Sequence, residues 1–360
     1  MKKALIAMSG GVDSSVAALL MQNKGYECTG VTMKLFNNED AGIKSEKTCC
    51  SLDDIEDARS VAYRLNMPYY VFNFKAEFGE KVMDQFVSAY QHGCTPNPCI
   101  DCNRYLKFER LFQRMQELQM DILVTGHYAR VVYDKEAKRW FLKKGIDHQK
   151  DQSYVLYSLT QTQLSHIQFP VGELSKSEVR TLAEKHGFTN AAKPDSQDIC
   201  FVPDGNYAAF IERYTQMESK PGLFLNSKGE TIGTHKGISH YTIGQRRGLG
   251  VSAPKPLYVC RIYPEDNTIT LGYQDMLFAQ ELEADDVNLI TCDNLYEPTY
   301  VQAKIRYRQP EQPATVWQTT DVKLLVKFDF PQRAITCGQA VVLYDGERVV
   351  GGGTITKVLD

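Results

Sequence analysis

Apolar residues gather first in the run Ala4-Leu5-Ile6-Ala7-Met8, short enough for a buried strand and ended at once by Ser9-Gly10-Gly11. From Ser14 to Met21 the apolar positions take helical spacing, and Gly25 closes that segment. Gly30 to Phe36 reads as a second strand. Ser51-Leu52-Asp53-Asp54 has the form of a capping box, opening a helix that runs to about Asn66 and stops before Pro68. Tyr69 to Phe74 is a third strand and Glu77 to Gln91 a helix. Cys94 to Cys102 is a loop punctuated by prolines, after which Phe108, Leu111, Phe112 and Met115 repeat at helical spacing. Ile122 to Thr125 is one more strand, ended by Gly126. Strands alternating with helices predict a parallel, doubly wound sheet.

The texture changes after residue 205. Leu223-Phe224-Leu225, Thr231-Ile232-Gly233 and Tyr241-Thr242-Ile243-Gly244 are short segments separated by glycine. Farther on the chain is rich in strand patterns: Val301 to Tyr307, Thr315 to Gln318, Lys323 to Phe330 and Gln339 to Tyr344, with Asp345-Gly346 as a hairpin signal. Three domains are expected: residues 1–205 as an α/β domain, 206–278 as a small central domain, and 279–360 as an antiparallel β-barrel.

Composition adds exclusions. The 360 residues are 43% apolar and 24% charged, which is ordinary for a globular protein. No apolar run approaches membrane-spanning length, and Lys2-Lys3 with its short apolar stretch runs into Gly10-Gly11 without a cleavage site. A cytoplasmic protein with no membrane association is expected, and its ten cysteines are then thiols for chemistry or packing rather than disulfides. The net charge of −3 gives no general attraction to a polyanion, so any nucleic-acid contact must come from local patches.

The sharpest local signal is Ser9-Gly10-Gly11-Val12-Asp13-Ser14-Ser15, between the first strand and the first helix. Its glycines let backbone approach phosphate oxygens, and the helix N-terminus that follows offers free N–H groups and a positive dipole. Ser9 and Ser14 add hydroxyl donors, and Asp13 can orient a magnesium ion carried by a nucleotide. The loop lacks the lysine of a Walker motif. Among the cysteines, Cys102 lies close to a helix start with Arg104 and Lys107 one turn away, an environment that favours thiolate. Cys200 lies in the polar stretch Pro194-Asp195-Ser196-Gln197-Asp198-Ile199-Cys200. Cys28, Cys49, Cys50, Cys94, Cys260, Cys292 and Cys337 read as packing residues. Basic clusters occur at Lys138, Arg139, Lys143 and Lys144, at Arg246-Arg247, and at Lys304 to Arg308, where Arg306-Tyr307 on a strand would suit stacking on an unpaired base.

Ser-Gly-Gly-Val-Asp-Ser resembles the signature of the ATP pyrophosphatases, whose N-terminal domain is a flavodoxin-like parallel sheet. The stretch Thr95-Pro96-Asn97-Pro98 through Cys102-Asn103 and the stretch Asp195 to Phe201 resemble hallmarks of one branch, the tRNA-specific 2-thiouridylases. So do Val31-Thr32-Met33-Lys34, Thr125-Gly126-His127-Tyr128-Ala129-Arg130, Lys150-Asp151-Gln152-Ser153-Tyr154 and Tyr241 to Gly248. The matches run in the family's order along nearly the whole chain.

The resemblance implies ATP with Mg²⁺ at Ala7, Met8, Ser9, Gly10, Gly11, Val12, Asp13, Ser14, Met33 and Gly126. It implies adenylation of the C2 oxygen of the wobble uridine, release of AMP and pyrophosphate, and a Cys200 persulfide charged by a sulfur-carrier protein. Cys102 then attacks the persulfide to free hydrosulfide, or assists transfer, leaving a Cys102–Cys200 disulfide. Contacts to the tRNA anticodon stem-loop fall on Asn97, Pro98, Cys99, His127, Lys150, Asp151, Gln152, Arg306, Tyr307 and Gln339.

One departure stands out, because better-known members carry aspartate where this chain has Cys99. Cys99, Cys102 and Cys200 therefore raise a second route, an iron–sulfur cluster with an open iron, beside the metal-free persulfide relay. Three other readings fall away. No glutaminase domain supports an amidotransferase-type synthetase. Intact Asp13, Cys102 and Cys200 argue against a plain RNA-binding module, and a nucleotide loop ahead of Cys99-x-x-Cys102 argues against a thioredoxin-like reductase.

Overall fold

The computed structural model describes residues 1–37, 52–195 and 198–359. Ser51, Cys49, Cys50, Ser196 and Gln197 lie outside the described residues. Five strands, β1 (Lys3–Ala7), β2 (Glu27–Lys34), β3 (Tyr69–Asn73), β4 (Ile122–Val124) and, later in the chain, β7 (Ile167–Gln168), form a sheet of order β3-β2-β1-β4-β7. Every neighbouring pair is parallel, as the strand–helix alternation predicts.

The period-two alternation of β1 divides its side chains between two cores. Leu5 enters one with Val31, Leu123, Phe78 and Phe108, and Ala4 and Ile6 enter the other with Val16, Ala17, Val61 and Val124. The first helix, Val12–Asn23, ends where Gly25 takes φ +81° and Tyr26 N–H donates back to Met21 C=O at 3.2 Å. A second helix spans Leu52–Arg64 and a third 75–91. Because β2 lies on one side of β1 and β4 on the other, the chain turns after β1 and after β4 flank the point where strand order reverses, where α/β sheets place ligands.

The sequence expectation fails at the stretch before Cys102. The helix begins at Pro98 and continues to 117, so Cys99 lies in its first turn and Cys102 in its second. Proline at the first helical position needs no N–H partner, and the Asn97 side chain accepts from Cys99 N–H at 3.2 Å, so the segment is built as a helix start. From Cys102 to Arg110 it winds in wider π-type turns. An unforeseen hairpin follows, β5 (Ala129–Asp134) and β6 (Arg139–Lys144).

The central strands β8 (Gly222–Leu225), β9 (Thr231–His235), β10 (Tyr258–Tyr263) and β11 (Thr268–Gly272) pair in the order β10-β11-β8-β9 over a small core of Phe224, Tyr241, Val259, Ile269 and Leu271. The helix before them, Tyr207–Thr215, packs away from that core: Phe210 meets Phe201 at 5.1 Å and Phe86 at 5.9 Å between ring centroids.

The C-terminal strands are β12 (Phe278–Leu289), β13 (Thr299–Lys304), β14 (Gln312–Gln318), β15 (Leu324–Arg333), β16 (Ala340–Asp345) and β17 (Arg348–Leu359). They pair antiparallel, and β12 closes on β17 as a barrel. The expected hairpin at Asp345-Gly346 joins β16 to β17, with Gly346 at φ +57°. β17 also pairs with β6 through Arg348 and Lys143, so the barrel sheet continues into the hairpin of the first domain. Tyr154 seals the seam, donating from its hydroxyl to Ala340 C=O at 2.8 Å, and Ala340, Val342 and Tyr344 join the same core as Phe86 and Phe108.

Candidate active site

The nucleotide loop is fastened from three directions. Ser14 Oγ donates to Gly11 C=O at 3.0 Å and accepts from Ser9 N–H at 3.2 Å. Asn190 Nδ2 donates to Gly10 C=O at 2.9 Å, and Lys193 holds Asp54 and Asp57 at 2.6 Å each. Gly10 takes φ +74°, and a Cβ there would meet Asp54 C=O at 2.5 Å, so only glycine fits. Gly126, at the end of β4, is pressed against the loop: a Cβ would stand 2.6 Å from Ser14 N and 2.7 Å from Asp13 C. Met8 and Val12 are buried, while Ala7 and Met33 are partly buried against the core that contains Leu5. The ten residues expected at the nucleotide lie at the end of β1, in this loop and the first turn of its helix, in β2 beside it, or in the turn pressing on it.

Asp13 differs from expectation in its surroundings. Its carboxylate accepts from Lys176 Nζ at 2.7 and 2.8 Å and from Tyr128 hydroxyl at 2.7 Å. Lys176 also reaches Asp195 at 2.8 Å, which in turn binds Lys150 at 2.8 Å and Arg180 at 3.3 Å. Burial alone would raise the Asp195 carboxyl, but Lys150 and Lys176 outweigh it and hold it below its usual range. Sequence reasoning missed Lys176, Arg180, Asn190 and Lys193. The helix Lys176–Lys185 carries its own signal, a Ser175–Glu178 capping box, which would have located Lys176 at a helix start.

The two thiols expected to react, Cys102 and Cys200, are both partly buried and pack against the core that Ala7 and Met33 border. The two cations expected near Cys102 also have partners of their own. Arg104 forms a two-pronged pair with Asp286 of β12, Nη2 to Oδ1 at 2.8 Å, and Lys107 donates to Asn103 Oδ1 at 2.8 Å. Burial pushes up the Cys94, Cys260 and Cys337 thiols and takes Cys28 to about 11, in keeping with packing roles. Among the described residues, no three His, Cys, Asp or Glu side chains converge as a metal-binding group. Cys99, Cys102 and Cys200 are thus not gathered as a metal-binding group among these residues.

Several residues expected at RNA are drawn together. Tyr307 donates to Asp151 C=O at 3.1 Å, and its own hydroxyl is pushed up to about 12 by burial, then by Asp151 and Cys99. Gln339 Nε2 reaches Thr95 C=O at 2.7 Å and Pro96 C=O at 3.2 Å, immediately before Asn97, Pro98 and Cys99. Arg306 and Tyr307 are in the turn after β13, not on a strand, because the chain leaves the sheet at Lys304 to let Arg306 bind Ala334 C=O at 2.7 Å and Thr336 Oγ1 at 2.9 Å. Lys304 lies over the Tyr154 and Tyr307 rings. Asp151 caps its own turn by accepting from Gly145 and Ser153, and Gln152 Oε1 accepts from Tyr128 N–H at 2.9 Å.

His127 is not in this group. It is buried between Phe108 and Phe169 with Nδ1 2.6 Å from Thr125 Oγ1, and burial, then Lys107, lowers its pKa well below the usual value. The cluster Arg139, Lys143 and Lys144 is likewise engaged, pairing with Asp293, Glu347 and Glu311 of the barrel.

Known proteins match along the whole chain. The model described as a tRNA methyl transferase HUP domain matches residues 2–204, a tRNA methyl transferase PRC-barrel domain 208–273, and an aminomethyltransferase beta-barrel domain 279–355. The tRNA-specific 2-thiouridylase MnmA of Acetivibrio thermocellus is 50% identical over 355 residues, 98% of this chain and 99% of that one. The chain belongs to the tRNA-specific 2-thiouridylase family. MnmA 1 of Thermoanaerobacter sp. (strain X514) is 52% identical, covering 99% of this chain and 98% of its own length. MnmA of Clostridioides difficile is 48% identical, covering 99% of both. For a 2-thiouridylase-family chain the architecture is as the sequence implied: a parallel HUP sheet, a central PRC-barrel-type domain, and a six-stranded antiparallel barrel. Among the described residues, no helix is long and apolar enough to cross a membrane.

Proposed function

We propose that this protein thiolates C2 of the wobble uridine of tRNA, using ATP, in the cytoplasm. The observation that supports the reading is that Cys102 and Cys200 border the same core as Ala7, which leads into the nucleotide loop, and Met33 of β2. Domain limits near 205 and 278 give a catalytic domain followed by two domains that bear on the tRNA.

ATP enters as its magnesium salt, its phosphates against the N–H groups of Gly10 to Ser14 at the helix N-terminus. The uridine C2 oxygen attacks the α-phosphorus, pyrophosphate leaves, and C2 acquires AMP as a leaving group. A sulfur-carrier protein delivers a persulfide to Cys200. The Cys102 thiolate attacks Cys200 Sγ, the S–S bond of the persulfide breaks, and hydrosulfide is freed while a Cys102–Cys200 disulfide forms. Hydrosulfide adds to C2 and expels AMP, and a thiol reductant returns the two cysteines to the reduced state. Asn97 to Cys99, Lys150, Asp151, Tyr307 and Gln339 form the wall against which the anticodon loop is read. Arg306 shapes that wall through its hold on the barrel turn.

The test is product analysis with cysteine variants. Cys102→Ser and Cys200→Ser should each abolish thiolation while still binding ATP and tRNA, and Cys260→Ser should remain active, with AMP and pyrophosphate as nucleotide products. ADP and phosphate as products, or normal thiolation by either of the first two variants, would refute the reading.

A further inference from the structure

Arg246 and Arg247 stand exposed on a loop whose path is fixed from beneath. Gly244, Gly248 and Gly250 take φ +85°, +77° and +68°, and Leu249 enters the core of Phe224 and Ile269. Gln245 braces the turn: its Oε1 accepts from Thr242 N–H at 3.1 Å, and its Nε2 donates to Arg247 C=O at 3.0 Å. The chain runs on through Pro254-Lys255-Pro256, so that Arg246 and exposed Lys255 line one open cleft of about 410 Å³. The barrel adds a fourth cation. A Cβ at Gly244 would meet Ala334 Cβ at 3.1 Å and Arg333 Nη1 at 3.7 Å, and the Arg333 guanidinium lies over the Tyr258 ring at 5.4 Å.

None of Arg246, Arg247, Lys255 and Arg333 enters an ion pair among the described residues. Like charges held together repel, and elsewhere this fold meets its cations with acids: Arg139 has Asp293, Lys144 has Glu311 and Lys150 has Asp195. Uncompensated cations on a braced loop, in a chain of net charge −3, suit an anionic partner.

Resting on the tRNA reading of the wall at Asn97 to Cys99, Tyr307 and Gln339, we propose that the loop of residues 242–257 is a second RNA-binding surface, which takes backbone phosphates of the anticodon stem. One turn joins the two surfaces. Arg306 donates to Ala334 C=O and Thr336 Oγ1, and Gly244 packs on the same Ala334, so the wall continues through Arg333 into the loop. A stem whose loop is seated at the wall has to leave across one of its edges. Towards the β5–β6 hairpin the cations are already neutralised, whereas towards the central loop they are not. A strand of phosphates therefore gains more on the central side. Exposed arginine and lysine side chains supply charge rather than a fixed pattern of donors for base edges, so the contact is with the backbone and carries no sequence preference.

The experiment uses the full, reduced protein without ATP, so that no turnover occurs, and a full-length tRNA transcript with a wobble uridine. Affinity is read by fluorescence anisotropy across a salt series. The double variant Arg246→Ala, Arg247→Ala should bind about tenfold more weakly for each cation lost near ~0.1 M salt, and the slope of log affinity against log salt should fall by about one for each. Lys255→Ala should act in the same direction by one such step. Lys327→Ala removes a cation already paired with Glu281 and should leave affinity and slope unchanged. Melting temperatures should match that of the parent, because the substituted side chains are exposed. A double variant with parental affinity and slope overturns the proposal while the wall reading stands. Weaker binding with an unchanged slope overturns it too, because the groups lost were then not phosphate contacts. Parental tRNA binding with impaired sulfur delivery from an acidic carrier protein would give the surface to a protein partner and refute the RNA assignment. If the parent protein does not bind the transcript, both readings fail together.

Discussion

Asp101→Asn should stabilise the protein above neutral pH and leave it unchanged in mild acid. Asp101 is partly buried in the first turn of the 98–117 helix, where the helix dipole favours a carboxylate. Burial outweighs the dipole and pushes its carboxyl up from 3.8 to about 7; Arg104 opposes this, and Asp286 adds to it. Arg104 cannot offset the burial because it already pairs with Asp286. A raised folded-state pKa means that the folded protein binds the proton more tightly than the unfolded chain does. Stability from this group is therefore fully present below the unfolded value of 3.8 and is lost as pH rises towards about 7. At about 1.4 kcal/mol per pH unit the loss is roughly 4 kcal/mol at most, and about 2 kcal/mol once the neighbours relax around the charge. Asparagine, neutral at every pH, removes that loss. Thermal melts of both proteins at a series of pH values should show the variant higher by ~2–4 °C near pH 8, with the two curves meeting towards pH 4. An advantage of the same size at both ends would assign the effect to packing, and no advantage near pH 8 would refute the buried-carboxyl argument.

Gly126→Ala places a methyl 2.6 Å from Ser14 N, so the loop must shift, and magnesium-ATP binding measured by calorimetry should weaken by roughly ten- to a hundredfold, alongside a loss of about 1–3 kcal/mol in stability. Gln339→Ala removes the donor to Thr95 and Pro96 C=O, which should cost about 1–2 kcal/mol locally and speed amide exchange across residues 94–99 several-fold, as read by hydrogen-exchange mass spectrometry.

The features legible in the sequence are those encoded within a dozen residues. The glycine loop between β1 and its helix, the repeat of Phe108, Leu111, Phe112 and Met115, and the Asp345-Gly346 hairpin all appear where local spacing puts them. The expected loop at Cys94 to Cys102 fails from Pro98 on, because proline breaks a helix only in its interior and is well suited to its first turn. Pro98 in fact opens a helix under the Asn97 cap, which sets Cys99 and Cys102 one turn apart on it. Arg306-Tyr307 kept the β pattern beyond the end of β13, where partners in the 334–336 turn decide the backbone path. Charges were the least legible: Arg139, Lys143 and Lys144 read as a surface cluster, yet the barrel supplies an acid for each. The same limit hid Lys176. Its partner Asp13 is 163 positions away, and a lysine at a helix start carries no mark of the carboxylates that the fold will bring to it. Motifs thus name the groups expected to meet the substrates, while the cations around them, Lys176 and Lys193, find their place only when distant parts of the chain bring Asp13, Asp54 and Asp57 to them.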